Sequence, residues 1–386
     1  MHETAFATLE QNPQARVIRS LRSQIEQGQW KDGAALPSSA ALSEMLGVDR
    51  KTVLRAVQVL IDRGVLASTG KRVRTIPSVH QTHGLLSKTV VVISAYGQAT
   101  GITLQQPGWG HKIQAGVSES VGRIGRHIMV LHEQDRDESI GRLAVEKPFG
   151  VVVAETTGDT SSIIKRLEVI RSANIPVVVY GGAPEFAGYD RIASCHETGA
   201  YDLTRWMIQQ GRRRILCLWE SHAANRYWVA DRRAGYERAM HEAGLKPLPA
   251  ILMPEFPEID SDPDLFETAI RSIAGYLVEP FTQPDPVDAI MTLSDRSVYG
   301  VAAACRVFGK VPHRDVSLVG YDDYYKDCNE QTLEPAGPQA TMDKQNAEIG
   351  RQLVSLLVDR IEGRIVDGPV CRTVKPQLIL AESQLV

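Results

Sequence analysis

Along the first 76 residues, apolar side chains recur every three or four positions, the spacing that buries one face of a helix. Val17, Ile18, Leu21 and Ile25 set this period over residues 15–27, and Gly28 ends it. A loop closes on Leu36-Pro37-Ser38. Ala41, Leu42, Met45 and Leu46 then fit a short second helix, with Ser38 or Ser39 as its cap and Gly47 as its stop. Asp49 is placed to cap a third helix, whose inward stripe is Val53, Ala56, Val57 and Leu60 and whose end is Gly64. Two short runs, 65–67 and 73–76, flank Ser68-Thr69-Gly70-Lys71-Arg72, the pattern of a hairpin with a basic tip.

Residues 77–88 mix Pro, Gly and polar positions without a period and read as a linker. Beyond them the rhythm changes. Continuous apolar runs at 89–94, 127–131, 150–154 and 176–180 alternate with helical stretches near 110–121, 140–146 and 162–172. The alternation recurs with strands at 215–219, 250–253, 289–293 and 317–320 and helices near 230–243, 265–277 and 297–307. A last amphipathic helix, about 343–362, leads to a strand at 377–380. Continuous apolar strands separated by helices predict parallel sheets covered on both faces. The expected architecture is therefore α/β: an N-terminal winged helix-turn-helix (1–76), a linker (77–88), and a two-lobed domain (89–386) with two doubly wound parallel sheets. The chain is expected to cross between lobes near 210 and near 340.

Composition adds little until it is divided. The 386 residues carry a net charge of −3, with 43% hydrophobic and 23% charged residues, as in an ordinary soluble globular protein. Residues 1–78, however, hold 11 Lys/Arg against 7 Asp/Glu, so the remainder holds 32 against 39. A small basic head on a larger acidic body suits a polyanion-binding module. Five scattered cysteines without a CxxC pair disfavour a disulfide framework and a zinc site. No apolar run approaches a membrane span, and the opening residues lack a secretory signal, which points to the cytoplasm.

The chemistry follows the elements. A helix pair joined at Leu46-Gly47-Val48, the second with a basic first turn, meets the requirement for placing side chains at base edges in the major groove. Arg50 and Lys51 would donate to guanine, and Thr52 would meet a phosphate or a thymine methyl. Arg55 lies one turn on, Ser38 and Ser39 stand at the start of the preceding helix, and Lys71, Arg72 and Arg74 of the wing would meet phosphate. In the larger domain, the cleft between two doubly wound lobes is the expected ligand site. Tyr96 and Trp109 follow its first strand; Arg226 and Trp228 follow the first strand of the second lobe; Ser294 and Asp322 end two apolar strands. Asp322 is the leading candidate, because an unpaired buried acid is costly without a partner. Trp219 reads as core.

Residues 15–76, through LPSSAALSEMLGVDRKTVLRAVQVLIDRGVLASTG, resemble the GntR-type winged-helix family. The resemblance implies operator contacts from Arg50, although Ala40 and Leu54 stand where that family usually has arginine. Residues 89–383, through VDAIMTLSDRSVYGVAAACRVFGKVPHRDVSLVGYDDY, resemble the sensor domain of the LacI/GalR family, which shares the fold of periplasmic sugar-binding proteins. That likeness implies ligand contacts at Ser294 and Asp322. Ala230 replaces a common ligand arginine, a role for which Arg226 is the candidate substitute, and Cys195-His196 replaces a frequent Asp-Asn pair. Asp295 is expected to be structural. Together these readings indicate a DNA-binding repressor, working as a homodimer on double-stranded operator DNA and answering to a sugar or related small polar effector, with no cofactor, metal or membrane partner. Two alternatives are a sugar-modifying enzyme, using His196 with Glu197 or the Asp322-Asp323 pair, and a transport-type binding protein.

Overall fold

A computed structural model describes residues 13–26, 29–30, 34–62, 65–69, 73–75, 85–94, 109–132, 137–154, 160–254 and 262–381. The head begins with α1 (Pro13–Glu26), α2 (Ser39–Leu46) and α3 (Arg50–Asp62), followed by the antiparallel pair β1 (Ala67–Thr69) and β2 (Val73–Thr75). Its core is the predicted stripe set, with Val17, Ile18, Leu21, Leu42, Val53, Val57 and Leu60 buried together. Gly47 closes α2 in the left-handed region (φ 63°), where a side chain would be strained. The wing is anchored to the loop before α2, because the Leu36 amide donates to the Arg74 carbonyl (2.8 Å).

The larger domain holds two sheets of six strands. The first lobe contains β3 (Thr89–Ser94), α4 (Trp109–Arg123), β4 (His127–His132), α5 (Asp137–Glu146), β5 (Gly150–Val153), α6 (Thr160–Ser172), β6 (Val177–Tyr180) and β7 (Asp190–Ser194). The second contains α7 (His196–Gln209), β8 (Ile215–Glu220), α8 (Tyr227–Glu242), β9 (Ile251–Met253), α9 (Pro263–Thr282), β10 (Ala289–Thr292), α10 (Asp295–Val307), β11 (Ser317–Val319) and β12 (Ala340–Asp343). The chain returns to the first lobe with α11 (Asn346–Ile361) and β13 (Cys371–Val374), and β14 (Gln377–Leu380) then joins the second. Strand orders are β13-β7-β6-β5-β3-β4 and β14-β12-β11-β10-β8-β9, parallel throughout except that β14 runs against β12. Each sheet is covered on both faces. Val90, Val92 and Val152 face α4 and α11, whereas Val91, Val151 and Val153 face α5 and α6.

The crossings differ from expectation. The first is at Cys195, where β7 ends in one sheet and α7 packs on α8 of the other lobe, rather than near 210. The second lies at 344–345, close to the expected 340, and a third passes through 375–376 between β13 and β14. Three strands of chain thus form the hinge.

Lobe 1 is pinned by a glycine seam. A Cβ on Gly350 of α11 would lie 2.1 Å from the Ile113 carbonyl, and one on Gly116 of α4 would lie 2.0 Å from the Ala347 carbonyl. Only glycine lets these backbones meet. We expect Gly350→Val to lower the urea unfolding midpoint of the chain by the equivalent of at least about 2 kcal/mol, since the clash is with backbone. Gly122→Ala, on the same helix α4 but facing open space, should instead raise stability by roughly 0.5–1 kcal/mol.

Candidate functional site

On the head, the recognition helix α3 presents Arg50, Lys51 and Arg55 to solvent. Its start is built by Asp49, whose carboxylate accepts from the Thr52 amide (2.9 Å) and hydroxyl. Those bonds hold the Asp49 carboxyl below its usual range, the Thr52 hydroxyl contributing most. The Thr52 hydroxyl is therefore committed within the cap. Ser38 caps α2 by accepting from the Ala41 amide (3.2 Å), and the Ser39 hydroxyl accepts from Arg50 Nε (3.3 Å), which steadies the guanidinium at the base of the recognition turn. Arg74 is half-buried in β2. Lys71, Arg72, Tyr96 and the Trp109 side chain lie outside the described residues.

The head also touches the sensor. Arg22 Nη1 of α1 donates to the Ile361 carbonyl at the end of α11 (3.0 Å). Two residues on, Gly363 sits at φ 74°, where a Cβ would be 2.7 Å from Ile18 Cδ1. The polar face and the buried stripe of α1 thus both meet the last turn of a lobe-1 helix.

At the cleft, two contacts among the described residues join the lobes. The Gly182 amide, just after β6, donates to Tyr227 Oη at the start of α8 (2.8 Å). Lys112 of α4 donates to the Asp323 backbone carbonyl and lies 3.5 Å from its carboxylate. Arg226 and Ser294 cap the entries to α8 and α10 at the carboxyl edge of sheet 2. Ser294 Oγ lies 3.1 Å from Ser297 Oγ, which donates to Glu220 Oε1 (2.6 Å). Trp228 is half-buried against the lobe-2 core and lies under the Arg232 guanidinium (4.7 Å).

Asp322 is buried, as expected of the leading candidate, yet it is paired. Lys344 Nζ lies 2.8 Å from its carboxylate and Arg232 Nη2 4.0 Å away, all three side chains being about 95% buried. Arg232 also donates to the Leu293 carbonyl (2.8 Å) and lies flat over Tyr321, 3.4 Å from the ring centre. His196 completes the group. It packs among Tyr227, Trp228 and Tyr321, and burial first, then Arg232 and Lys344, push its pKa well below the usual value. The ring is neutral. Sequence reading missed Arg232, Lys344 and His196 as a unit, because a cation reads as a surface residue. A signal for one of them existed: Arg232 lies on the stripe Val229, Tyr236, Ala239, at helical spacing on a buried face.

Asp295 is fully buried. Its Oδ2 accepts from the Tyr324 amide (2.8 Å) and its Oδ1 fills the space a Cβ on Gly320 would need. Among the described residues, no group of His, Cys, Asp and Glu is arranged to hold a metal ion.

Comparisons with known proteins give two family matches. Residues 13–73 match the family described as bacterial regulatory proteins, gntR family, and residues 204–383 match the periplasmic binding protein-like domain. Similar curated proteins include the HTH-type transcriptional repressor PurR of Pasteurella multocida, 24% identical over 349 residues, 89% of this chain and 97% of that repressor. The PurR of Vibrio campbellii is 27% identical over 61% of this chain, which spans 64% of that protein's length. Among solved structures, the regulator CelR in complex with cellobiose superposes with a TM-score of 0.60 at 20% identity, over 89% of this chain and 99% of that one. A LacI-family regulator from Enterococcus faecium with bound ribose gives 0.55 at 16% identity, over 75% and 96%.

Asp295 makes the cleft floor sensitive to pH. Burial raises its pKa to about 8, so the folded chain keeps a proton that the unfolded chain releases above about pH 4. The stability it contributes is complete below that lower value and is lost as pH rises through about 8. Between pH 5 and pH 8 the urea midpoint of the native chain should fall relative to that of Asp295→Asn. Parallel curves for the two proteins would show that Asp295 is charged in the fold.

Proposed function

We propose that this chain, a gntR-family DNA-binding head joined to a periplasmic binding protein-like sensor of LacI/GalR type, is a transcriptional repressor whose grip on operator DNA is set by a small polar effector held between its lobes. The carrying observation is the direct seat of the head on the sensor, through Arg22 on Ile361 and Ile18 against Gly363. Lobe motion then has a mechanical route to the head. Lys112 of α4 reaches Asp323 in lobe 2, α4 is locked on α11 by the glycine seam, and α11 ends against α1. An effector acts by binding one lobe arrangement better than another.

The protein works where DNA is, in the cytoplasm, and as a homodimer, because one recognition helix contacts too few bases for an operator-length site. Arg50, Lys51 and Arg55 read bases and phosphates from α3. Arg226, Ser294 and Asp322 border the effector. Sugars and related polyols are the class suggested by the cleft's mixed aromatic and polar lining.

Catalysis is the weaker reading for a specific reason. The carboxylates and imidazole that would serve as acid and base are committed: Asp322 to Lys344, Asp323 to Lys112, and His196 buried between two cations. The two carboxylates are held in ion pairs and the imidazole is buried away from solvent, so the three do not form a free acid–base pair.

Fluorescence anisotropy with duplexes from the chain's own promoter region tests the head. Binding should weaken steeply with salt, and Arg50→Ala should cost about 1–3 kcal/mol on the preferred duplex. A duplex-independent, salt-insensitive signal would sink the reading. Arg22→Ala is expected to leave duplex affinity within about twofold in the absence of effector, its part-buried contact being with the sensor and not with DNA. It should nonetheless reduce the change in that affinity caused by any compound that raises the sensor's melting temperature.

A further inference from the structure

Parallel sheets ordinarily bury both faces, and β4 departs from that rule on one side. It is the last strand of sheet 1, paired in unbroken register with β3 from Thr89 opposite His127 to Ser94 opposite His132. Paired residues share a face, so Met129 and Leu131 join Val91 and Ile93 in the core under α5 and α6. Ile128 and Val130 join Val90 and Val92 on the opposite face, that of α4 and α11, yet stand clear of the core there. They are 39% and 41% exposed, where Val90 and Val92 are fully buried. Ile124, on the turn from α4 into β4, is 38% exposed, and Leu85, on the short turn packed beside β4, is 69% exposed.

The strand is also undefended. Exposed sheet edges are blunted by Lys, Pro, an inward charge or a bulge, because a bare edge pairs with whatever it meets. β4 reads His-Ile-Met-Val-Leu-His in regular register and has none of these. Its place on the molecule is specific. Leu85–Lys88 is the segment through which the chain enters β3 from the head, and α11 runs from the cleft to the same end of lobe 1, where Ile361 meets α1. The apolar strip therefore starts beside the head's point of attachment and continues up the edge of the sheet.

We infer that Leu85, Ile124, Ile128 and Val130 form the lobe-1 contact between two copies of this chain, joined about a two-fold axis. This rests on the homodimer of the proposed function and deepens it by assigning the surface. A second copy suits the strip better than an unrelated partner. A two-fold contact sets a patch against its own equivalent, so apolar meets apolar with no complementary surface needed elsewhere. At the rim, Glu119 and Arg123 lie one turn apart on α4, so the same axis sets the acid of one copy toward the base of the other. A contact that begins at Leu85 also holds two head attachments on either side of the axis, the arrangement that two half-sites on duplex DNA demand.

Sedimentation velocity on the full chain tests this. The native chain should be a dimer, and Ile128→Glu with Val130→Glu should weaken dimerisation by about 100-fold or more, because like charges are then forced together across the axis. Both positions are already exposed, so the variant should keep the native circular dichroism and melting temperature as a monomer, while its affinity for the preferred duplex falls. Should the charged variant fail to fold, a cross-link decides. Val130→Cys treated with a short bis-maleimide should give a covalent dimer, whereas the native chain, whose exposed Cys371 lies on β13 at the opposite edge of the sheet, should not. A native dimer that survives both Glu substitutions overturns the inference and leaves the repressor reading intact. So does a Val130→Cys chain that cross-links no more than the native one. A native chain that is monomeric both free and on its duplex overturns the homodimer itself, and the inference with it.

Discussion

The ion pair between Lys344 and Asp322 sits where the architecture has least freedom. Asp322 follows β11, Lys344 follows β12, and the chain leaves lobe 2 for α11 immediately afterwards. Pairing two charges at about 95% burial is seldom a net source of stability, because desolvation offsets the attraction, but breaking such a pair is severe. It therefore fixes geometry. The cost shows in the backbone: Asp322, Asp323 and Gln345 adopt φ values of 94°, 52° and 58°, a region that non-glycine residues enter at an expense of order 1–3 kcal/mol each. Strain of this kind persists where surrounding contacts overdetermine it, and here Arg232, Tyr321 and the crossing itself supply those contacts.

From that anchor the rest of the molecule is a series of rigid bodies. Sheet 2 carries α8 and its Arg232, while sheet 1 carries α4 and α11, whose backbones touch at Gly116 and Gly350. Close-packed cores do not deform continuously; they shift between discrete arrangements. A helix pair locked through glycine passes displacement along its length, and α11 ends on the head. The long axis of communication is thus covalently simple: one helix of lobe 1, with the cleft near its first residue, Asn346, and α1 against its last, Ile361.

Much of this was legible in the residues. The head's three helices, their caps and its wing follow local rules of period and capping, and the stripes named on α1 and α3 form the core, whereas of the second helix's set Leu42 is buried and Met45 is exposed. The apolar strands of both sheets were equally plain. What escaped was non-local. β7 reads Asp-Arg-Ile-Ala-Ser and β13 Cys-Arg-Thr-Val, too polar to announce strands; they form because parallel neighbours at the sheet edge accept their backbones. Missing β7 moved the expected first crossing from 195 to near 210. At the site, Asp322 was foreseen as a buried acid in need of a partner, but the partner, Lys344, lies 22 positions on and becomes adjacent only when β11 and β12 pair. Ser294 stands just past β10 and Arg226 in the segment that follows β8, where each was expected, although Ser294 turns out to belong to a hydroxyl network with Glu220.

The placement of polar groups on either side of the crossing decides how much an effector can shift. Lys344, Arg232 and His196 belong to lobe 2 or its exit, whereas Ser194 and Asn346 belong to lobe 1. A solute held by one set alone binds open and closed forms equally and moves nothing, however tight it is. One that spans both sets gains its second group of contacts only on closure. Driving a two-state clamp from about 1:99 to 99:1 takes about 5.5 kcal/mol of differential binding. Hydrogen bonds to charged groups contribute about 1.5–3 kcal/mol each, so two to four that form only in the closed state suffice. The hinge has that number of unpartnered groups, Ser194 Oγ and the Asn346 amide on one side and His196 Nδ1 and Arg232 Nε on the other, and a longer or more elaborate ligand site is not required to operate the switch.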